Sequence, residues 1–320
     1  MAKYILKRIL IAIPVLFLIT VIDFALMCLS GNPLEMMTGA RVSEAALAQR
    51  AINWGLDKPP YIQYFVWLLG LLQGNLGTSY STFQPVSEMI LSHLGPTLLL
   101  MGAALVLSLI ISLIGGIFSA THAYSKGDYT VVSLSFLGSS VPSFFLALLL
   151  IYLFTVKLGL LPSSGMITLG VGGGALDVIR HMILPTVVLA FGMAGTNIRY
   201  FRSAVLEILQ QDYLRTAKAK GIGHRLVIYK HALRNAMLTV ITVIGMEIPV
   251  LFGGAVVVEQ VFSWPGLGLM TMSAITSRDY PVIMGVCLFT AVVVLLGNLV
   301  TDILYAVADP TISFQKGGKK

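Results

Sequence analysis

Between Ile9 and Leu29 the chain runs through 21 residues with a single charge, Asp23. An apolar stretch of that length matches the roughly 20 residues a helix needs to cross a bilayer. Five more such runs follow: Pro96–Ala120, Tyr129–Val156, Met182–Ile198, Ala236–Val258 and Val282–Ala308. The fourth is the shortest and must borrow residues at its ends. Alternating barrel-type patterning is absent. In lipid every backbone polar group must be satisfied within the segment, so six transmembrane helices are predicted. With 57% hydrophobic and 11% charged residues, an ordinary soluble domain and a disordered chain are both excluded. Pro14, Pro142, Pro185 and Pro249 fall inside these runs and are each expected to kink a helix. The first run is too long for a signal-peptide core and lacks an A-x-A cleavage site, so it reads as a retained span.

Net charge is +7, which in a polytopic chain has to be mapped before it implies any partner; it does not by itself imply nucleic acid. With the N-terminus inside, the cytoplasmic side holds Lys3, Lys7, Arg8, Lys126, everything from Arg199 to Arg234, and Lys316, Lys319 and Lys320. The other side holds only Arg41, Arg50, Lys58, Lys157, Arg180 and Arg278. The excess places both termini in the cytoplasm of a multi-pass plasma-membrane protein. Cys28 and Cys287 both sit in apolar runs, as packing residues rather than a disulfide or zinc framework.

Three organisational units follow: 1–30, tail and first span; 31–95, an external region; and 96–320, a five-helix core. Within the external region "SEAALAQRAINWGLDKPP" reads as a short helix started by Ser43 and stopped before Pro59 and Pro60. "YIQYFVWLLGLLQGNLG" is apolar, aromatic and short, and reads as an interfacial helix. The Gly-rich 170–177 is a flexible external connection. "FSWPGLG" (262–268) is external too: either an aromatic belt with a Pro-Gly turn, or a loop dipping toward a transport path through Trp264.

No Walker-type phosphate loop, H-E-x-x-H or G-x-S-x-G occurs, and the five histidines show no metal-ligand spacing. A pore, carrier or scaffold is favoured over an enzyme, with no catalytic and no metal-ligating residues assigned. Polar groups inside spans are costly and face a cavity or a partner helix. Asp23, Asn197, Glu247, Asn298 and Asp302 are such groups; Asn197, Glu247, Asn298 and Trp264 are the candidates for a translocation path, and Asp302 is read as helix glue.

The segment 210–236, "QQDYLRTAKAKGIGHRLVIYKHALRNA", carries Arg215, Lys218, Lys220, Arg225, Lys230 and Arg234 between two apolar runs. Charge alone makes it a topology anchor. Its small residues ask for more. Asp212 can cap a helix over Gln211–Lys220, Ala217 and Ala219 present little side chain, and Gly221 ends the helix. A second helix fits about His224–Asn235. A helix, a glycine break and a returning helix form a knuckle that another protein's groove can approach.

These residues resemble the cytoplasmic coupling loop, the EAA loop, of ATP-binding-cassette (ABC) importer permeases. Gly221 stands at the family glycine, Arg215-Thr216-Ala217 in the E-A-A slot and His231-Ala232-Leu233-Arg234 in the I-x-L-P slot. These departures match the dipeptide/oligopeptide/nickel subfamily, and so do 55–80, 85–100, 256–270, 277–286 and 302–312, apart from Thr311 where D-P-R-I is usual. The resemblance is to the first permease subunit of peptide importers. It implies a type I ABC importer permease fold with an external helical insertion after the first span. It implies a second homologous permease subunit, two ABC ATPase subunits, an extracytoplasmic solute-binding protein and the bilayer as partners, and no nucleic acid. No cofactor is bound by this chain; ATP and Mg belong to the ATPases. Asp212, Tyr213, Arg215, Thr216, Ala217, Ala219 and Gly221 would dock the ATPase, braced by His231, Ala232, Arg234 and Asn235. Peptides are the implied solute, with nickel, a metal chelate or glutathione as alternatives within the class, and a secondary carrier or a membrane scaffold as alternatives outside it.

Overall fold

A computed structural model describes residues 2–31, 34, 44–170, 173–212, 214, 223, 233–253 and 255–308. The chain is all-helical and polytopic. In order the helices are α1 (Ala2–Leu29), α2 (Glu44–Trp54), α3 (Pro60–Leu72), α4 (Val86–Thr121), α5 (Lys126–Ser140), α6 (Ser143–Leu150, continued by a π-helical turn over Ile151–Lys157), α7 (Ala175–Leu209), α8 (Leu233–Gly253), α9 (Val256–Val261), α10 (Leu267–Thr276) and α11 (Tyr280–Ala308). Among the described residues α1, α4, α7 and α11 contain stretches long and apolar enough to cross a membrane, and α5 with α6 makes a bent fifth. The 21-residue α8 stands where the fifth apolar run was expected.

α4 and α7 are the frame. At 36 and 35 residues they extend about 54 Å and 52 Å, well beyond the roughly 30 Å hydrocarbon core. The fourth run, expected to be short, is therefore the middle of a much longer helix. α7 packs along α4 and against α5, α8 packs on α11, and α1 lies against α11. α5 approaches α7 closely because glycines meet there. A Cβ on Gly195 would lie 2.6 Å from the Ser135 carbonyl oxygen, and one on Gly138 2.8 Å from that of Phe191. Arg199 fastens the pair, donating from Nη1 to the Ser135 carbonyl at 3.3 Å and to Ser139 Oγ at 3.2 Å.

The prolines act unequally. α1, α7 and α8 run on through Pro14, Pro185 and Pro249. The expected third span, Tyr129–Val156, is instead broken at Val141–Pro142, and α5 and α6 diverge by 100°. Pro142 has no N–H and holds its neighbour in extended backbone, so the helix stops and restarts. The fifth run also ends sooner than expected: α8 stops at Gly253 and α9 begins at Val256. Both short helices expected from sequence within 31–95 are present, as α2 and α3. α3 rests on α1 through Tyr64, whose ring meets Phe24 edge-on at 5.3 Å and whose hydroxyl is 3.0 Å from Thr20 Oγ1.

Candidate functional site

Segment 210–232 joins the end of α7 to the start of α8. We call that end of the bundle the basic end and the opposite one the far end. Of the residues assigned to docking, Asp212 is described, whereas Tyr213, Arg215, Thr216, Ala217, Ala219, Gly221, His231 and Ala232 lie outside the described residues. Arg234 and Asn235 fall in the first turn of α8, where the backbone alone is described. Leu214 is fully buried.

The frame that holds this segment is well defined. Asp128, buried at the start of α5, receives Arg202 of α7 in a two-pronged pair: Nε to Oδ1 at 2.8 Å and Nη2 to Oδ2 at 2.8 Å. The Ser119 hydroxyl of α4 donates to Oδ1 and the Tyr124 amide to Oδ2 at 2.8 Å. Three helices and the turn between α4 and α5 thus meet on one carboxylate, two turns before α7 ends. A buried carboxylate is tolerated only when its acceptor sites are filled, and here they are. Below this clamp Phe201 of α7 packs with Val240 and Val243 of α8.

Midway along the bundle, two residues singled out from sequence come together. Asn197 of α7 donates from Nδ2 to Glu247 Oε1 of α8 at 3.5 Å. Asn298 is elsewhere: it is exposed on α11, on a groove shared with Arg8, Ile11 and Leu16 of α1. Asp302 pairs with Arg8 at 2.6 Å, joining α11 to α1.

At the far end, the loop containing FSWPGLG folds into the bundle. Trp264 has no exposed surface and its Nε1 donates to the Pro96 carbonyl of α4 at 2.9 Å. The acceptor is the proline's own carbonyl, so the indole is held against the middle of the far half of α4. The loop is organised by Glu259, also fully buried, whose Oε1 accepts from Thr97 Oγ1 at 2.9 Å and whose Oε2 accepts from the Leu269 amide at 3.0 Å. Thr97 Oγ1 in turn accepts from the Leu267 amide at 2.8 Å. Gly266 and Gly268 leave the room: a Cβ on either would come within 2.5 Å and 2.9 Å of the carboxylate. Ser263 turns the chain at φ 47.

A second far-end carboxylate, Asp279, pins the loop before α4. It accepts from Ser79 Oγ at 2.5 Å and from the amides of Tyr80 and Ser81 at 3.0 and 3.2 Å. Tyr80 stacks on Trp54 of α2, ring centroids 4.0 Å apart. Burial, then the charge of Asp279 and Tyr280, pushes the Tyr80 phenol up to about 12.

Sequence reasoning missed Asp128, Glu259 and Asp279. Glu259 falls just beyond the expected fifth span, Ala236–Val258, which runs past the last residue of α8, Gly253. A signal was present: a lone Glu inside "VVVEQVF" is as costly as one inside a span. The whole arrangement is mechanical. Buried carboxylates tie loops to long helices at both ends, and one of those helices, α7, leads into the basic segment.

Residues 112–314 match the family described as binding-protein-dependent transport system inner membrane component, and residues 1–102 match its N-terminal companion. The oligopeptide transport system permease protein AppB of Bacillus subtilis is 46% identical over 317 residues, covering 98% of this chain and all of the relative. The di/tripeptide transport system permease protein DppB of Pseudomonas aeruginosa is 39% identical over 336 residues, covering 99% of this chain and all of that one. Among solved structures, the MetNI methionine ABC transporter in an inward-facing form aligns with TM-score 0.54 at 16% identity, over 70% of this chain and 97% of the other. An amino acid ABC transporter aligns with TM-score 0.51 at 17% identity, over 69% and 94%. These two support the fold. With family matches from end to end of the chain and full-length relatives well above 30% identity, the protein belongs to the binding-protein-dependent transport system inner membrane components, the permease subunits of ABC importers.

Proposed function

We propose that this chain is one of two permease subunits of an importer that carries dipeptides or oligopeptides into the cytoplasm. Both termini and segment 210–236 are cytoplasmic, two ABC ATPases dock on that segment and on its counterpart in the second permease, and an external binding protein delivers the solute. ATP and Mg stay on the ATPases. The observation that carries the reading is the 46% identity, end to end, to a permease named for oligopeptide transport. The geometry supplies a route for the work. Closure of the ATPase dimer pushes the segment; α7 and α8, rooted in it, are rigid at that end because of the Asp128–Arg202 clamp and the Phe201–Val240 packing. The push therefore turns long helices as bodies, a rigid two-state change between inward- and outward-facing arrangements.

The test is reconstitution of the whole complex in proteoliposomes. Peptide-loaded binding protein should stimulate ATP hydrolysis and drive uptake of labelled peptide. Uptake of nickel, a nickel chelate or glutathione in place of peptide would overturn the solute class. Uptake that proceeds without ATPase subunits would overturn the docking role and point to a secondary carrier.

A further inference from the structure

The carboxylates that tie this bundle together are well supplied with partners. Asp128 has Arg202, Ser119 and a backbone amide; Glu259 has Thr97 and an amide; Asp279 has Ser79 and two amides. Glu247 is unlike them. Its one hydrogen bond, from Asn197 Nδ2, is 3.5 Å long, at the edge of what counts as a bond, and no ion pair reaches it among the described residues. It is partly exposed, and the adjoining face of α8 presents Met246 and Val250, both exposed. Lipid cannot solvate a carboxylate, so this edge of α8 faces a polar space or a positive group. Asp23 is also short of partners, but it meets Cys287 between α1 and α11, on helices that do not carry the basic segment.

Position adds to this. Asn197 lies about 18 Å back from the end of α7, and Glu247 about 21 Å on from the start of α8. The two side chains therefore bridge, at nearly equal height, the two helices that leave the basic segment. Any turn of α8 against α7 alters a contact already near its limit.

We propose that Glu247 is a specificity-determining residue of the translocation path: its carboxylate receives positively charged groups of the solute, and Asn197 holds it when none is present. This rests on the peptide-importer reading above. It makes the permease itself, and not the binding protein alone, a filter for net charge, favouring peptides with a basic side chain over acidic ones.

The experiment compares turnover of a lysine-containing and a glutamate-containing dipeptide by the reconstituted complex, at saturating loaded binding protein so that delivery affinity drops out. In E247Q the lysyl-to-glutamyl turnover ratio should fall about 10-fold, the order expected for one charge contact partly screened by water. E247D should keep the ratio and E247K should invert it. A purely structural role would lower both turnovers together, so an unchanged ratio in E247Q and E247K overturns the inference. So does a lysyl-to-glutamyl turnover ratio of about one in the unaltered complex. If the unaltered complex carries neither peptide but carries another solute, the peptide reading falls, and the inference with it; that result is distinct from an unchanged ratio.

Discussion

Glu259→Gln is the most informative single change, because it keeps shape and removes only one acceptor. The side chain sits in a fully buried slot between Thr97, the Leu269 amide, Gly266 and Gly268. Each carboxylate oxygen faces a donor. A Gln must point its NH2 group at one of them. If nitrogen faces the Leu269 amide, two donors meet at about 3 Å. If it faces Thr97, the hydroxyl already accepting from Leu267 has nowhere to send its proton. Either way one charge-assisted bond is lost and one buried donor is stranded, about 1.5–3 kcal/mol. At about 2–4 °C per kcal/mol the melting temperature should drop by about 5 °C. Trp54, Trp67 and Trp264 are the three tryptophans. With the first two replaced by Phe, fluorescence reports on Trp264, which is anchored to Pro96 within the same loop. Thermal unfolding of the purified protein in detergent, followed at Trp264, should show the lower midpoint. Thr97→Val should be destabilising alone and less than additive with E259Q, since both break one network. A midpoint within about 1 °C of the parent in E259Q, or full additivity with Thr97→Val, would show that the carboxylate does not hold the loop.

Three further outcomes are expected. Arg202→Lys cannot make the two-pronged contact to Asp128 and should lower stability by about 1–3 kcal/mol, read by the same melting assay; an unchanged midpoint removes the clamp. Gly221→Leu should leave insertion and stability intact but cut binding-protein-stimulated ATP hydrolysis and uptake roughly 5-fold or more, since it bears on coupling alone; preserved stimulation refutes the docking assignment. The Tyr80 phenol is held neutral in the fold to about 12 while the unfolded chain ionises near 10. Stability should therefore be level below pH 10 and fall as pH rises from 10 to 12, with Tyr80→Phe lacking that fall; a phenolate absorbance step near pH 10 assigned to Tyr80 contradicts the burial.

Four of the six expected spans stand among the described residues as single long helices, α1, α4, α7 and α11, because lipid demands long apolar helices. Their edges were less legible in the sequence. Met182–Ile198 grew at both ends into α7 because, outside the hydrocarbon, polar residues such as Arg202 and Asp177 continue a helix without lengthening the apolar run. Pro142 broke its helix while Pro14, Pro185 and Pro249 did not; proline alone marks where a backbone bond is missing, and packing decides whether the helix survives. The pairing of Asn197 with Glu247 could not be read, although each was suspected, because a 50-residue separation carries no periodic signal. Glu259, Asp128 and Asp279 were passed over because a carboxylate near a span edge looks solvated until its partners, up to 200 positions away, are known.

Those separations have a consequence for how the protein is made. Ser79 waits for Asp279, 200 residues later, and Thr97 for Glu259, 162 residues later. At about 5–20 residues per second, some 10–40 s pass during which the first spans sit in the membrane with the amides of Tyr80 and Ser81 uncapped and the loop before α4 unpinned. A chain cut short anywhere before residue 279 lacks Asp279 altogether. Synthesis of the last helix is thus the step that closes the far side of the molecule, and a stalled or truncated product carries an open, unpaired loop for membrane proteases to find.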